Sequence, residues 1–164
     1  MKIAILSDIH DNLGNLESAL DVVPRHRAER LFFLGDFCAP FTLAELAKGF
    51  DGPIDAIFGN NDGDPFLLCK IAAGFEHVTL HGQFAELEVD GRRIALNHYP
   101  EISRRLAESG AYDGVFSGHD HQQYVHLVRD CVWANPGEVM GRFGSPTFGI
   151  WDTGSLEFDH VAIP

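Results

Sequence analysis

Asp8-x-His10 and His119-x-His121 each set two metal-type donors two residues apart. In an extended or turn segment, that spacing can point both side chains the same way. Asp36 follows Gly35, Asn60 follows Gly59, and His98 stands alone between Asn97 and Tyr99. Carboxylate, amide and imidazole donors suit borderline or hard divalent ions such as manganese, iron, zinc or nickel, and without a thiolate among them a soft site is disfavoured. These donors are too many for one tetrahedral ion and match two ions sharing a bridging carboxylate. Glycines before Asp36, Asn60 and His119 let the chain turn sharply at little steric cost.

Each donor lies just past an apolar run. The run 3–6 leads into Ser7-Asp8-Ile9-His10, and 31–34 into Gly35-Asp36. Likewise 54–58 leads into Gly59-Asn60-Asn61-Asp62, 93–96 into Asn97-His98, and 115–116 into Ser117-Gly118-His119-Asp120-His121. Ligands of open α/β sheets bind beyond the carboxyl ends of the strands. Taken singly, an Asp or His at a strand end is most often a cap or a satisfied polar group. Taken together, so many polar groups at buried strand ends would be costly without a shared purpose.

The elements that position them follow from periodicity. Continuous apolar runs predict buried strands at 3–6, 31–34 and 54–58. Leu13, Leu16, Leu20 and Val23 form one stripe of an amphipathic helix, capped by Asn12 and ended by Pro24. Further helices are expected at 42–48, 65–73 and 102–109. The segment 84–89 alternates, and Asp90-Gly91 turns it into 93–96 as a hairpin. Short strands are expected at 115–116, 124–128 and 132–134, with a closing hairpin of 148–151 and 156–163 around Thr153-Gly154. Strand and helix alternate early and strands dominate later. The expected fold class is therefore α/β, with two packed mixed β-sheets flanked by helices.

A length of 164 residues suits a single domain, 1–164. The formal net charge of −12 repels phosphate backbones and argues against a nucleic-acid polymer as partner. It admits a small anionic substrate wherever the site itself is positive. Three cysteines without a CxxC pair form no disulfide framework, so a reducing cytoplasm is the expected compartment. The first apolar run meets Asp8 too soon for a signal peptide, and no segment is long enough to cross a bilayer, so no membrane association is expected. His26, His77, His81, His126 and His160 read as surface or packing residues, and Cys38 as a small buried hydrophobe. Asn135-Pro136-Gly137-Glu138 reads as a turn, and its position after a strand leaves a supporting role near the site open.

The ordered set D-x-H, G-D, G-N-x-D, a lone His after a strand, and G-H-x-H resembles the calcineurin-like metallophosphoesterase superfamily. The short length, Gly59-Asn60-Asn61-Asp62 and Asn135-Pro136-Gly137-Glu138 look like its small YfcE-like phosphodiesterases. The resemblance runs from Lys2 to about Asp152. It implies a four-layer α/β/β/α fold and a centre of two divalent ions. Manganese is the first expectation, with nickel, iron and zinc also fitting. One ion would be held by Asp8, His10, Asp36 and His121, the other by Asp36, Asn60, His98 and His119, with Asp36 bridging. The implied reaction is hydrolysis of a small phosphate ester by hydroxide generated at that centre. Relatives form dimers or tetramers, and nothing in the sequence selects an assembly.

Two departures from the resemblance matter. Tyr99 follows His98 where many relatives have Gly, which adds bulk beside the donor. Asn61 stands where larger members often carry His, and an amide cannot act as a general acid near neutral pH. Esters with good leaving groups are therefore the expected substrates. Phe37-Cys38-Ala39-Pro40 lacks the Arg of the phosphoprotein phosphatases, which argues against that class. Asp62, Asn97 and Asp120 are candidates to orient imidazoles from behind. The alternative is a binding module like the retromer's small scaffold subunit. An abandoned site should have lost donors, and here every position is filled.

Overall fold

The computed structural model describes residues 1–164. In chain order the elements are β1 (Lys2–Leu6), α1 (Leu13–Val22), β2 (Arg30–Phe33), α2 (Pro40–Gly49), β3 (Ile54–Ala56), α3 (Pro65–Ala72), β4 (Val78–Leu80), β5 (Phe84–Val89), β6 (Arg92–Asn97), α4 (Pro100–Glu108), β7 (Gly114–Phe116), β8 (Gln123–Val128), β9 (Cys131–Pro136), β10 (Thr147–Asp152) and β11 (Phe158–Ala162). They build two sheets. One has the order β11-β10-β1-β2-β3-β4, with β1 to β4 parallel, β10 antiparallel to β1 and β11 antiparallel to β10. The other has the order β5-β6-β7-β9-β8, with β6, β7 and β9 parallel and both outer strands antiparallel.

Strand alternation sorts the core into layers. Ala4, Leu6, Leu31 and Phe33 pack against Leu16 and Ala19 of α1 and Leu43 and Leu46 of α2. Their neighbours Ile3, Ile5 and Phe32 face the other way, onto Ile94, Leu96 and Phe116 of the second sheet. Both faces of β1 and β2 are therefore buried, which explains why they read as unbroken apolar runs. Behind the second sheet, Ala107 of α4 closes on Ala95, Val115 and Cys131. The result is the expected α/β/β/α stack. No helix is long and apolar enough to cross a membrane.

Boundaries differ from expectation where proline chemistry or exposure intervenes. Pro40, Pro65 and Pro100 each start a helix, their fixed φ being suited to the first turn. This begins α2 and α4 two residues earlier than periodicity indicates. Pro24 continues α1 as a short 3-10 turn at Val23–His26. β3 ends at Ala56, although the Ile57 and Phe58 N–H groups still donate to the Phe33 and Gly82 carbonyls. β4 was not expected, being three residues long and only partly buried at a sheet edge. Asn12 accepts from the Asn15 N–H and caps α1 as expected.

The histidines outside the motifs have local partners. His77 Nε2 lies 2.9 Å from the Ala47 carbonyl and His160 Nε2 2.8 Å from that of Asn135. His26 packs edge-on against Phe148, and His126 stacks with Tyr124. His81 has a stronger role. It donates to Asp55 Oδ1 at 2.8 Å while Arg30 Nε donates to Oδ2 at 2.6 Å, tying β2, β3 and the end of β4 together. Burial alone would raise the Asp55 pKa, but the His81 and Arg30 hydrogen bonds outweigh it and hold the carboxyl below its ordinary range. Such a group stabilises the fold above its unfolded pKa, and that stability is lost as pH falls through the lower folded value. Asp55→Asn should cost about 1–3 kcal/mol at pH 7. Urea titrations across pH should show the gap to wild type closing below about pH 4. A gap independent of pH would show that the ion pair is not its source.

Candidate metal centre

The parallel strands release their chains at one edge, and backbone hydrogen bonds stitch the released segments together. The Asp8 N–H donates to the Gly35 carbonyl, and those of Ile9 and His10 to the Asp36 carbonyl. The Val139 and Met140 N–H groups donate to Ser7 and Asp8, and that of Gly118 to His98. Asp8, His10, Asp36, His119 and His121 all adopt left-handed φ values, between 45° and 74°. Non-glycine residues there cost about 1–3 kcal/mol each and persist only where the surroundings over-determine them. Asp, Asn and His tolerate this region best, so the donor types are also those the backbone accepts.

Close approach fixes the glycines. A Cβ on Gly118 would lie 2.6 Å from Asp8 Oδ2 and would collide with Ser7 Oγ. A Cβ on Gly59 would strike Asp36 Oδ1.

The donors form two groups that share the carboxylates. In the first, Asp8 Oδ1 lies 3.7 Å from His10 Nε2 and 3.6 Å from His121 Nε2, and His10 Nε2 lies 3.3 Å from Asp36 Oδ2. In the second, His98 Nε2 lies 3.5 Å from Asp36 Oδ2 and 3.1 Å from Asn60 Oδ1. His119 Nδ1 is 2.7 Å from the same Asn60 oxygen. Donors held at metal-ligand distances of about 2.0–2.2 Å would stand about 2.8–3.6 Å from one another, so most of these separations lie near the spacing an ion imposes, while His119 Nδ1 and Asn60 Oδ1 stand at hydrogen-bond distance. Asp8 Oδ1 and His10 Nε2 are buried with no hydrogen-bond partner. Two such orphans facing each other are costly in a protein interior unless a cation joins them.

Electrostatics point the same way. The ion-pair partners of Asp8 and Asp36 are imidazoles only. The Asp8 carboxylate, opposed by burial and joined by Asp36, raises the His10 pKa. His98 is also raised, because Asp36 and Asp8 outweigh its burial. Burial works against ionisation of Asp36, yet His98 and both Asn61 N–H groups hold its pKa well below the usual carboxylate range. The cluster attracts positive charge.

Imidazole orientation comes from partners that the sequence left unassigned. His98 Nδ1 donates to the Leu34 carbonyl at 2.7 Å, so its Nε2 lone pair faces the donors. His121 Nδ1 donates to Glu138 Oε2 at 2.6 Å. Glu138 is buried, and its Oε1 accepts from the Phe143 and Gly144 N–H groups. His10 Nδ1 lies 3.4 Å from Cys38 Sγ, whose thiol is pushed up to about 11 by burial and the nearby carboxylates. Cys38 therefore stays protonated beside His10.

Asp62, Asn97 and Asp120 hold the loops and form no hydrogen bond with an imidazole. Asp62 accepts from the backbone of Asp36, Cys38 and Gly59. Asp120 accepts from Gln122 N and Asn135 Nδ2, and Asn97 from Tyr99 N. Burial raises the pKa of both Asp62 and Asp120. Asn61 donates from its backbone and its Nδ2 to the two oxygens of Asp36, at 2.8 and 2.7 Å. Glu138 carried the same signal as the donors, a polar residue just beyond an apolar strand, but its Pro-Gly context reads first as a turn.

The model of the calcineurin-like phosphoesterase superfamily domain matches residues 1–155. The chain belongs to that superfamily. A phosphodiesterase of Methanocaldococcus jannaschii is 32% identical over 166 residues, covering 99% of both chains. A solved structure of an archaeal phosphodiesterase superposes with a TM-score of 0.91 at 32% identity, again over 99% of both. The Escherichia coli phosphoesterase YfcE shares the fold across both whole chains, with a TM-score of 0.69 at 19% identity. In this superfamily member the tightest steric constraint lies at Gly118. Gly118→Ala should lower stability by about 1–3 kcal/mol through overpacking against Ser7 and Asp8. Denaturant unfolding would measure it, and a loss below about 0.5 kcal/mol would mean the loops relax freely.

Proposed function

We propose that residues 1–164 act as one catalytic unit, a metal-dependent phosphodiesterase that hydrolyses a small phosphate ester at a dinuclear centre. Asp8, His10, Asp36 and His121 would hold one ion, and Asp36, Asn60, His98 and His119 the other, with Asp36 shared. Manganese suits this nitrogen and oxygen donor set, and nickel, iron and zinc fit it as well. The observation that carries the reading is the buried, unpartnered pair Asp8 Oδ1 and His10 Nε2, set beside a second group of donors at ion-imposed spacing. When bound, two divalent ions supply Lewis acidity toward phosphoryl oxygens and acidify water.

The chain's own residues supply position and charge. The Leu34 carbonyl and Glu138 hold His98 and His121 with Nε2 forward, and a buried carboxylate behind an imidazole raises its basicity as a ligand. Asn61 fixes both oxygens of Asp36, so the bridging candidate has one orientation. With its amide engaged there, Asn61 offers no proton to a departing alkoxide. Two divalent ions would outweigh the two carboxylates and make the site locally positive on a chain of net charge −12. That field admits a small anionic ester, and the acidic remainder disfavours a nucleic-acid polymer. The scaffold alternative is less supported: Vps29 of Entamoeba histolytica, solved with zinc, shares the fold at 16% identity, against 32% for the archaeal phosphodiesterase.

Elemental analysis of the purified chain, followed by chelation and readdition of manganese, tests the reading with bis(p-nitrophenyl) phosphate. Turnover should vanish with chelation and return with metal. Asp36→Ala should lose both ions and all turnover, and retention of both ions would refute its shared role. Leaving groups give an independent check. Diesters with p-nitrophenoxide should be hydrolysed far faster than dialkyl phosphates, and equal rates would show that a general acid exists. In that comparison Asn61→His should raise activity on the poorer leaving groups.

A further inference from the structure

Phe143 is 73% exposed, although full burial of such a side chain would contribute about 1.5–3 kcal/mol. Its ring stands edge-on to His121, with centroids 5.1 Å apart. It is also anchored. The Phe143 N–H donates to Glu138 Oε1 at 2.6 Å, and the other oxygen of that carboxylate orients His121. The ring position is thus tied to the same group that sets the imidazole. On the other side of the centre, Tyr99 stands edge-on to His98 and His119, at 5.4 and 5.0 Å. Each donor group therefore carries an aromatic ring at its rim, and the one beside His121 is open to solvent.

We propose that Phe143 is a specificity-determining residue, whose exposed face receives a planar aromatic substituent of the substrate while the phosphate sits over the donors. This deepens the phosphodiesterase reading and rests on it. The substrate class is a diester bearing an aromatic group, either a simple aryl or a nucleoside base. Offset or edge-on ring pairing adds selectivity beyond simple burial. Arg142, whose guanidinium lies 6.0 Å from the Phe143 ring centroid, adds positive charge near the same rim.

The test compares three diesters with one leaving group: bis(p-nitrophenyl) phosphate, thymidine 5'-(p-nitrophenyl phosphate) and methyl p-nitrophenyl phosphate. With the manganese-loaded enzyme, kcat/KM should be higher for the aryl or nucleoside ester than for the methyl ester. Phe143→Ala should cut that preference about 5–10-fold, mainly through KM. Phe143→Trp should restore it. Whichever aromatic substituent responds identifies the source, aryl or base. An unchanged ratio in Phe143→Ala overturns the inference and leaves the phosphodiesterase reading standing. A wild-type enzyme inactive on all three overturns both.

Discussion

Two carboxylates, Asp8 and Asp36, are nearly or fully buried with imidazoles as their only ion-pair partners. This placement constrains everything around it. Charges in a protein interior must be paired or must bind metal, and neutral imidazoles cannot do the pairing. A proton on His10 and His98 answers part of the demand, which is why their affinities for one are raised. A divalent ion held by each group would answer more of it. The left-handed residues, the glycines with no room for a Cβ and the loop-to-loop hydrogen bonds all hold the two carboxylates where they would otherwise repel each other.

The two-sheet architecture makes this concentration achievable. One sheet contributes Asp8, Asp36 and Asn60 from β1, β2 and β3, and the other His98, His119 and His121 from β6 and β7. Because these strands are parallel within each sheet, all their carboxyl ends emerge together. β9 runs parallel to β7 and brings Glu138 to the same edge. The hydrogen bond from His98 to Leu34 crosses between the sheets and links the two donor sets. The layered core and the site are therefore one problem, since a slip of either sheet would separate the candidate donors.

Much of this was legible in the residues because burial and chemistry leave different marks. Strands buried on both faces read as continuous apolar runs, and polar donors placed directly after them stand out. The signal weakened where structure depended on context. β4 is short and lies at an edge, so its pattern could not rise above that of a loop. Glu138 sits in a sequence that forms a turn whatever its side chain does. Cys38 looks apolar by type, and only its 3.4 Å approach to His10 gives it a polar role. Phe143 belongs to a Gly-rich loop with no periodicity, so nothing local separates an exposed ring from a buried one.

Local and global charge serve different ends in this molecule. A net charge of −12 opposes large polyanions, whose many phosphates meet the whole field at once. A small ester carries little charge and so feels that long-range field weakly. Near the donors the field is set by whatever cations the carboxylates hold. Size selection can therefore arise from electrostatics alone, before any contact is made. Aromatic rings at the rim would then select among small esters by shape, a criterion that ionic strength does not blunt.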